Sequence, residues 1–311
     1  MVNENLAAID LGTNSCRIMV INSDGQLLFR NSITTKLGEG MYANMCFTKE
    51  AIERGLNAFS EYAEILKKYE VKKYRAIATA SCRMAKNGAD FVQQVKDTTG
   101  INIDVIGGTE EALLNLKGAV LNADKNAKYV TIYDLGGGST EITLATNEIS
   151  PKILHTISIP WGARNSAEAF NLTDYNQENN EALKTQIIAY VSDFIKNSQF
   201  EKYKENCTLI ATSSTPLRLA AMIHKDKIYD RVKHDGTVLY CKDIDTAIAD
   251  IYNMSLTERE NSIYIGKNRA PIIIAGATIF KSIYKVLGFD KLTASLKSAQ
   301  DAIVRELMEN G

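Results

Sequence analysis

Apolar and polar positions follow two periods along this chain, and the period switches at intervals that suit single elements. Leu6 to Asp10 is an apolar run closed by an acid, which predicts a buried strand. The turn Gly12-Thr13-Asn14-Ser15 follows, Arg17 to Ile21 predicts a second strand, and Asp24-Gly25 marks another turn. The chain therefore opens with a hairpin. Ile52, Leu56, Phe59, Ala63 and Leu66 fall at helical spacing within Thr48 to Tyr69, with Thr48 suited to the N-cap and Glu50 and Glu53 to the first turn. The pattern then predicts a strand over Arg75 to Ala80, a helix over Asp90 to Thr98, a strand over Ile101 to Ile106 and a helix over Glu110 to Leu121. Strands alternating with helices in this way indicate an α/β fold.

At Tyr129 the pattern starts again. Tyr129 to Tyr133 is strand-like, Asp134-Leu135-Gly136-Gly137-Gly138-Ser139 turns it, and Thr140 to Ala145 continues as β. Set against Asp10-Leu11-Gly12-Thr13-Asn14-Ser15, the second turn repeats Asp, Leu, Gly and Ser in register, and Ile18 and Ile142 also coincide. One hairpin used twice implies two similar domains. Later segments predict helices at Gln177 to Lys196 and Asp243 to Asn253, with a strand at Thr208 to Ala211 between them. Pro271 to Ala275 is expected as a buried strand turned by Gly276, Thr278 to Leu287 as a helix, and Ser298 to Asn310 as the last helix. The expected domains are 1–124 and 125–297, with the C-terminal helix, about 298–311, packing back on the first. With only four prolines, no Pro-rich linker separates them, and a cleft between closely packed domains is expected.

Composition narrows the function classes. The 311 residues include 36 Lys+Arg and 37 Asp+Glu, a formal charge of −1, which removes the basic excess usual in proteins that neutralise many nucleic-acid phosphates. A polyanion would then bind only at a local site. The five cysteines stand singly with no metal-type spacing, as expected of reduced thiols in a reducing compartment. No secretory leader is visible, and the most apolar run, Pro271 to Phe280, is about half of the ~20 residues that span a bilayer. A soluble, cytoplasmic protein with no nucleic-acid or membrane partner is expected.

The strongest local chemistry lies in Asp134 to Glu141. Three consecutive glycines weaken a strand, and the usual reason for them is a sharp turn or a close approach of backbone to a ligand. Successive backbone N–H groups there form an anion nest, with Ser139 and Thr140 adding hydroxyls. Asp134 and Glu141 flank that nest, and carboxylates beside a phosphate call for an intervening cation, Mg²⁺ being the natural one. The bland account is a glycine-rich hairpin with solvated acids, and the earlier copy with Asp10, Thr13, Asn14 and Ser15 counts against it. A third feature, Gly107-Gly108-Thr109-Glu110-Glu111-Ala112, is a glycine pair leading into a helix. Capping explains both acids, yet one glutamate facing a site could take a proton from an attacking water. Adjacent helical residues point about 100° apart, so spacing alone leaves Glu110 and Glu111 both open.

Five ordered segments carry a resemblance: Ala8 to Ser15, Ala78-Thr79-Ala80-Ser81-Cys82-Arg83, Val105 to Ala112, Asp134 to Glu141, and Ile159-Pro160-Trp161-Gly162-Ala163-Arg164. Together they resemble the exopolyphosphatase and guanosine pentaphosphate phosphohydrolase (Ppx/GppA) family. The resemblance implies two ribonuclease-H-like domains of the actin, Hsp70 and sugar-kinase superfamily. It makes Glu111 the counterpart of the family's catalytic base. Asp134 and Glu141, with Asp10, look like its Mg²⁺-associated carboxylates. Thr13, Asn14, Ser15, Arg83, Gly136, Gly137, Gly138 and Ser139 match positions around the terminal phosphates. Arg83 suits that place physically and joins Glu111 as catalytic, because a guanidinium fork grips a phosphoryl group and stabilises its charge.

The implied activity is an exopolyphosphatase releasing terminal orthophosphate from inorganic polyphosphate with Mg²⁺. The alternatives are a guanosine pentaphosphate 5′-phosphohydrolase and a low-turnover protein that binds polyphosphate or an alarmone; a homodimer is suggested by the family alone. Lys36, Arg164, Arg218, Arg231, Lys233 and Arg269 are candidates for a basic path along the chain of phosphates. Two departures stand out. Ala211-Thr212-Ser213-Ser214-Thr215 and Ala275-Gly276-Ala277 lack the glycine pair of nucleotide-binding superfamily members, which argues against an ATPase or sugar kinase. Ser295 to Ala302 keeps a serine and an acid of a glycine-rich family segment but lacks its glycines and arginine, which bears on domain closure and on the reach of a long substrate. The length leads us to expect the catalytic pair of domains without appended helical ones.

Overall fold

The computed structural model describes residues 4–39, 41 and 44–309. Asn310, the last residue of the helix expected at Ser298 to Asn310, lies outside the described residues. The chain forms two compact units, 1–118 with 298–311, and 119–297. The division falls at Gly118/Ala119 rather than 124/125, because the helix after Gly107 packs with the first unit and the short 3-10 turn after it with the second.

The first unit contains β1 (Asn5–Leu11), β2 (Ser15–Ile21), β3 (Leu27–Thr34), α1 (Lys49–Lys68), β4 (Val71–Ala78), α2 (Ala80–Met84), α3 (Gly88–Thr99), β5 (Ile103–Val105) and α4 (Gly108–Ala119). Its sheet has the order β3-β2-β1-β4-β5, with the first three strands antiparallel and β4 and β5 parallel to β1. The central strand β1 reads as one apolar run because both of its faces are covered. Ala7, Ile9 and Leu11 join the core of Phe59, Tyr62 and Phe91, while Leu6 and Ala8 join Leu114, Ala302 and Ile303. As expected, Thr48 caps α1, its hydroxyl accepting from the Ala51 N–H at 3.1 Å.

The second unit contains β6 (Tyr129–Leu135), β7 (Thr140–Thr146), β8 (Ile153–Ile159), α5 (Ala163–Ala169), α6 (Gln177–Ser198), β9 (Cys207–Thr212), α7 (Ser214–Ile223), β10 (Val238–Tyr240), α8 (Cys241–Asn253), α9 (Leu256–Asn261), α10 (Ile273–Leu287) and β11 (Lys291–Ala294). Its sheet order is β10-β11-β9-β6-β7-β8. Read from the other edge, β8-β7-β6-β9-β11 repeats the order and strand directions of the first sheet, with β10 added antiparallel at the end. Each unit thus has the ribonuclease-H-like arrangement. The strand expected at Pro271 to Ala275 and the turn at Gly276 are corrected: Ile273 to Leu287 is one helix. It is buried almost all round, so its apolar run lacks a polar face and imitates a buried strand. Gly276 lies inside it, where a Cβ would come within 3.3 Å of the Ala163 Cβ, so the glycine permits α5 to pack close.

The last helix, α11 (Ala299–Glu309), returns to cover the second face of the first sheet. The Gln300 side-chain amide donates to Ala8 O at 3.1 Å, and Arg30 pairs with Asp301 at 3.0 Å with both side chains nearly buried. Among the described residues no helix is long and apolar enough to cross a membrane.

Candidate active site

The two hairpins are built alike. In the first, Gly12 N–H donates to Ser15 O at 2.9 Å; in the second, Gly136 N–H donates to Ser139 O at 2.9 Å. Each bond closes the turn between paired strands. Beyond it, the N–H groups of Thr13 and Asn14, and of Gly137, Gly138 and Ser139, find no acceptor among the described residues. Such groups are anion donors. The first turn is held from behind by a loop, with Gly38 N–H donating to Thr13 O at 2.9 Å and Lys36 N–H to Asn14 O at 3.0 Å.

The glycines of the second turn divide by role. A Cβ on Gly136 would lie 2.9 Å from Ser139 O, so the turn itself excludes a side chain there. Gly138 has nothing within 4 Å of a Cβ, and Gly137 only the Arg164 Cβ at 4.0 Å. Neither has a left-handed backbone. The protein's own packing therefore does not demand glycine at 137 or 138.

Charge separates the two copies at one position. Asp134 lies directly opposite Glu141 in the β6–β7 ladder, whereas the matching Asp10 lies opposite Arg17 in β1–β2 and pairs with it at 3.7 Å. Burial, and then the charge of Asp134, hold the Glu141 carboxyl above its usual range, against hydrogen bonds from Ser139 and Ser158. Burial also raises Asp10; Arg17 acts against this and the charge of Glu111 adds to it. Among the described residues, no three His, Cys, Asp or Glu side chains group as a metal cage, so the Asp134 and Glu141 pair would need oxygens from water or ligand.

In the first unit, α4 places its two glutamates differently. Glu110 is exposed and bound to Arg75 at 2.6 Å, while Glu111 is bound by Arg83 Nη1 at 3.2 Å and lies close enough to Asp10 to raise it. Arg83, on α2, also donates to Ile106 O at 2.6 Å, which ties its guanidinium to the start of α4. The structure thus brings Asp10, Arg83 and Glu111 together, and turns Glu110 to another partner. The thiol of Cys82, beside Arg83, is pushed up to about 12 by burial, which leaves it inert.

The basic-path candidates sort sharply. Lys36 pairs with Glu39 at 3.9 Å and Lys233 with Asp226 at 2.6 Å. Arg269 instead lies near both Arg218 and Arg164: burial, then the charges of Arg218 and Arg164, hold its guanidinium down. The Arg218 guanidinium stacks 4.6 Å over the Tyr229 ring and donates to Tyr264 O and Ile265 O, while its buried Nε has no partner among the described residues. Arg231 is near Tyr229. A guanidinium held near two others is stabilised by an anion. Tyr229 was missed in the sequence, where an isolated aromatic in a polar loop carries no signal.

The departures also have structural explanations. Ser213 occupies φ 82°, a backbone region that favours glycine, at the turn leading into α7, and its buried hydroxyl has no partner among the described residues. Ser295 is fully buried and accepts from the Asn122 side chain at 2.9 Å, and Asp301 is the partner of Arg30. The serine and acid retained from the family segment thus serve packing within their own units.

A model of the Ppx/GppA phosphatase family matches residues 18–310. The chain belongs to this family. The bifunctional 3-dehydroquinate synthase/phosphatase of Fusobacterium nucleatum is 30% identical over 321 residues, covering 98% of this chain and 46% of that protein. Exopolyphosphatase 2 of Mycobacterium tuberculosis is 35% identical over 156 residues, covering 46% of this chain and 49% of that protein. The chain spans about half the length of the curated relatives it matches. Among solved structures, the Aquifex aeolicus member of the Ppx/GppA family superposes with a TM-score of 0.81 at 24% identity, covering 99% of both chains. An exopolyphosphatase from Cytophaga hutchinsonii gives 0.80 at 20% identity over 99% of this chain and 98% of its own. These two likenesses establish the fold.

Proposed function

We propose that this chain hydrolyses the terminal phosphoanhydride of inorganic polyphosphate and releases orthophosphate. One observation carries the reading. In the second hairpin, three N–H groups without an acceptor among the described residues lie between two carboxylates that face each other, one of them held above its usual range by burial and by its neighbour's charge. Such a site is completed by an anion and a cation together.

The donor set fits Mg²⁺, a hard cation that is bound by one or two carboxylates and otherwise by water and substrate phosphate oxygens. Asp134 and Glu141 would hold it. When bound, it offsets the charge of the phosphoryl oxygens and lowers their repulsion of a nucleophile.

The protein's own groups then have distinct tasks. The N–H groups of each turn would bind phosphoryl oxygens, and the Arg83 fork would meet the charge that spreads over the equatorial oxygens of the terminal group. Glu111 would accept the proton of an attacking water as the new O–P bond forms and the bridging O–P bond breaks, the electron pair leaving on the shortened polyphosphate. Arg83 Nη1 pairs with Glu111 at 3.2 Å. A phosphoryl group that takes the guanidinium would free the carboxylate for its water. The Arg164, Arg218 and Arg269 group supports a substrate with several phosphates over one with a single phosphate.

Phosphate release measured from polyphosphates of several lengths, guanosine pentaphosphate and ATP under identical Mg²⁺ tests the reading. Faster release from polyphosphate than from either nucleotide is the expected result. Preference for guanosine pentaphosphate would reassign the substrate, and binding of polyphosphate without release would make the chain a binding protein.

A further inference from the structure

We propose that Asn165 is a positioning residue that aims the backbone N–H groups of the Gly136-Gly137-Gly138-Ser139 turn at an anion. The proposal rests on the reading above that this turn holds phosphate. In a trans peptide the carbonyl of one residue and the N–H of the next point in opposite directions. Fixing the three carbonyls of the turn from behind therefore fixes the N–H groups of Gly137, Gly138 and Ser139 toward the front.

The start of α5 does this. Ala163 N–H donates to Gly136 O at 2.9 Å, and Arg164 N–H to Gly137 O at 2.8 Å, with Asn165 N–H adding a longer bond to Gly137 O at 3.2 Å. Any residue type supplies those backbone donors. The third carbonyl, Gly138 O, is held by a side chain: Asn165 Nδ2 donates to it at 2.9 Å. The same amide donates to Pro160 O at 2.9 Å, and its oxygen accepts from Gly162 N–H at 2.8 Å. With two donors and one acceptor engaged, the amide orientation is set by its network and the side chain has one available pose. Gly138 O belongs to the peptide that carries the Ser139 N–H.

The packing leaves no slack behind the turn. A Cβ on Gly162 would lie 2.6 Å from Gly137 C and Gly138 N and 2.7 Å from Ser139 N. The turn is thus pressed onto the loop that precedes α5 and bonded to the start of α5 at the carbonyls of Gly136, Gly137 and Gly138. This is preorganisation: the N–H groups are set before the ligand arrives, so little ordering is left for binding.

The test titrates isotope-labelled protein with inorganic orthophosphate and follows the amide resonances of Gly137, Gly138 and Ser139. In the wild type all three shift together. In Asn165→Ala the Ser139 response is lost or much reduced while those of Gly137 and Gly138 remain, and orthophosphate affinity falls roughly 5–10-fold, the worth of about one hydrogen bond. Asn165→Asp, which keeps an acceptor for Gly162 N–H and loses both donors, serves if the alanine variant folds poorly. Measuring it at low and high salt separates its added charge from its lost donors. An unchanged Ser139 response in the variants, or no response of these amides in the wild type, overturns the proposal. Phosphate-induced shifts in a protein that releases no phosphate from polyphosphate would uphold the positioning role and sink the hydrolytic reading alone.

Discussion

Arg83 Nη1 lies 3.2 Å from a carboxylate oxygen of Glu111, and the same guanidinium nitrogen reaches Ile106 O at 2.6 Å. One arginine thus links the end of α2 to the start of α4 and occupies the carboxylate assigned to the attacking water. Exchange of that ion pair for substrate predicts different signatures at its two ends. Arg83→Lys keeps the charge and loses the fork, so KM for polyphosphate rises along with a fall in kcat. Glu111→Gln keeps the shape and loses the base, so kcat falls by roughly 10²–10⁴ with KM little changed. Steady-state kinetics on the two variants check this; equal losses of kcat and KM effects in both would contradict it.

Glu141 predicts a gain of stability where function is lost. Its carboxyl is raised above the ordinary 4.5, so the folded protein binds that proton more tightly than the unfolded chain does. Without metal, stability therefore falls as pH rises through the interval between the ordinary value and the raised one. Glu141→Gln removes this cost, and its melting temperature in chelator at neutral pH should rise, on the order of 1 kcal/mol or ~2–4 °C. Adding Mg²⁺ should raise the melting temperature of the wild type and not of the variant. Calorimetry with and without Mg²⁺ decides it.

Two glycines of the same turn should respond in opposite ways. Gly138 has open space at its Cβ position and an ordinary backbone, so Gly138→Ala should leave the melting temperature within a few degrees while crowding a bound phosphate. Gly162→Ala would place a methyl 2.6 Å from the turn's backbone and should lower stability by ~1–3 kcal/mol as well as activity. Thermal melts paired with phosphate release separate the two outcomes. A strongly destabilised Gly138→Ala would mean that packing, and not a ligand, requires that glycine.

The C-terminal helix should be essential to the first unit. Arg30 and Asp301 are both nearly buried and 3.0 Å apart, so Asp301→Ala leaves a guanidinium without that partner. A loss of ~3–5 kcal/mol is expected. Denaturant unfolding measures it, and a loss under ~1 kcal/mol would show that the pair is readily replaced by water.

The duplicated hairpin was legible in the sequence because Asp, Leu, Gly and Ser recur in one strand-turn-strand context, and the sheets repeat one strand order around them. Helix α10 was misread at Pro271 to Ala275 because a helix buried on all sides has no polar face to report its period. The short strand Lys291–Ala294 left no pattern either, being only four residues long. Spacing could not separate Glu110 from Glu111, since the choice rests on which arginine each meets in space, Arg75 or Arg83. Asn165 could not be singled out at all. Its bonds run to carbonyl oxygens, and a sequence does not show which way a carbonyl points.

The most direct test of the account is a time course of orthophosphate release from long-chain polyphosphate with Mg²⁺ by the wild type and by Glu111→Gln at matched, folded concentrations. Steady release by the wild type, with the variant slower by roughly 10² or more, is the predicted result. Equal release by the two proteins, or none from the wild type, would contradict it.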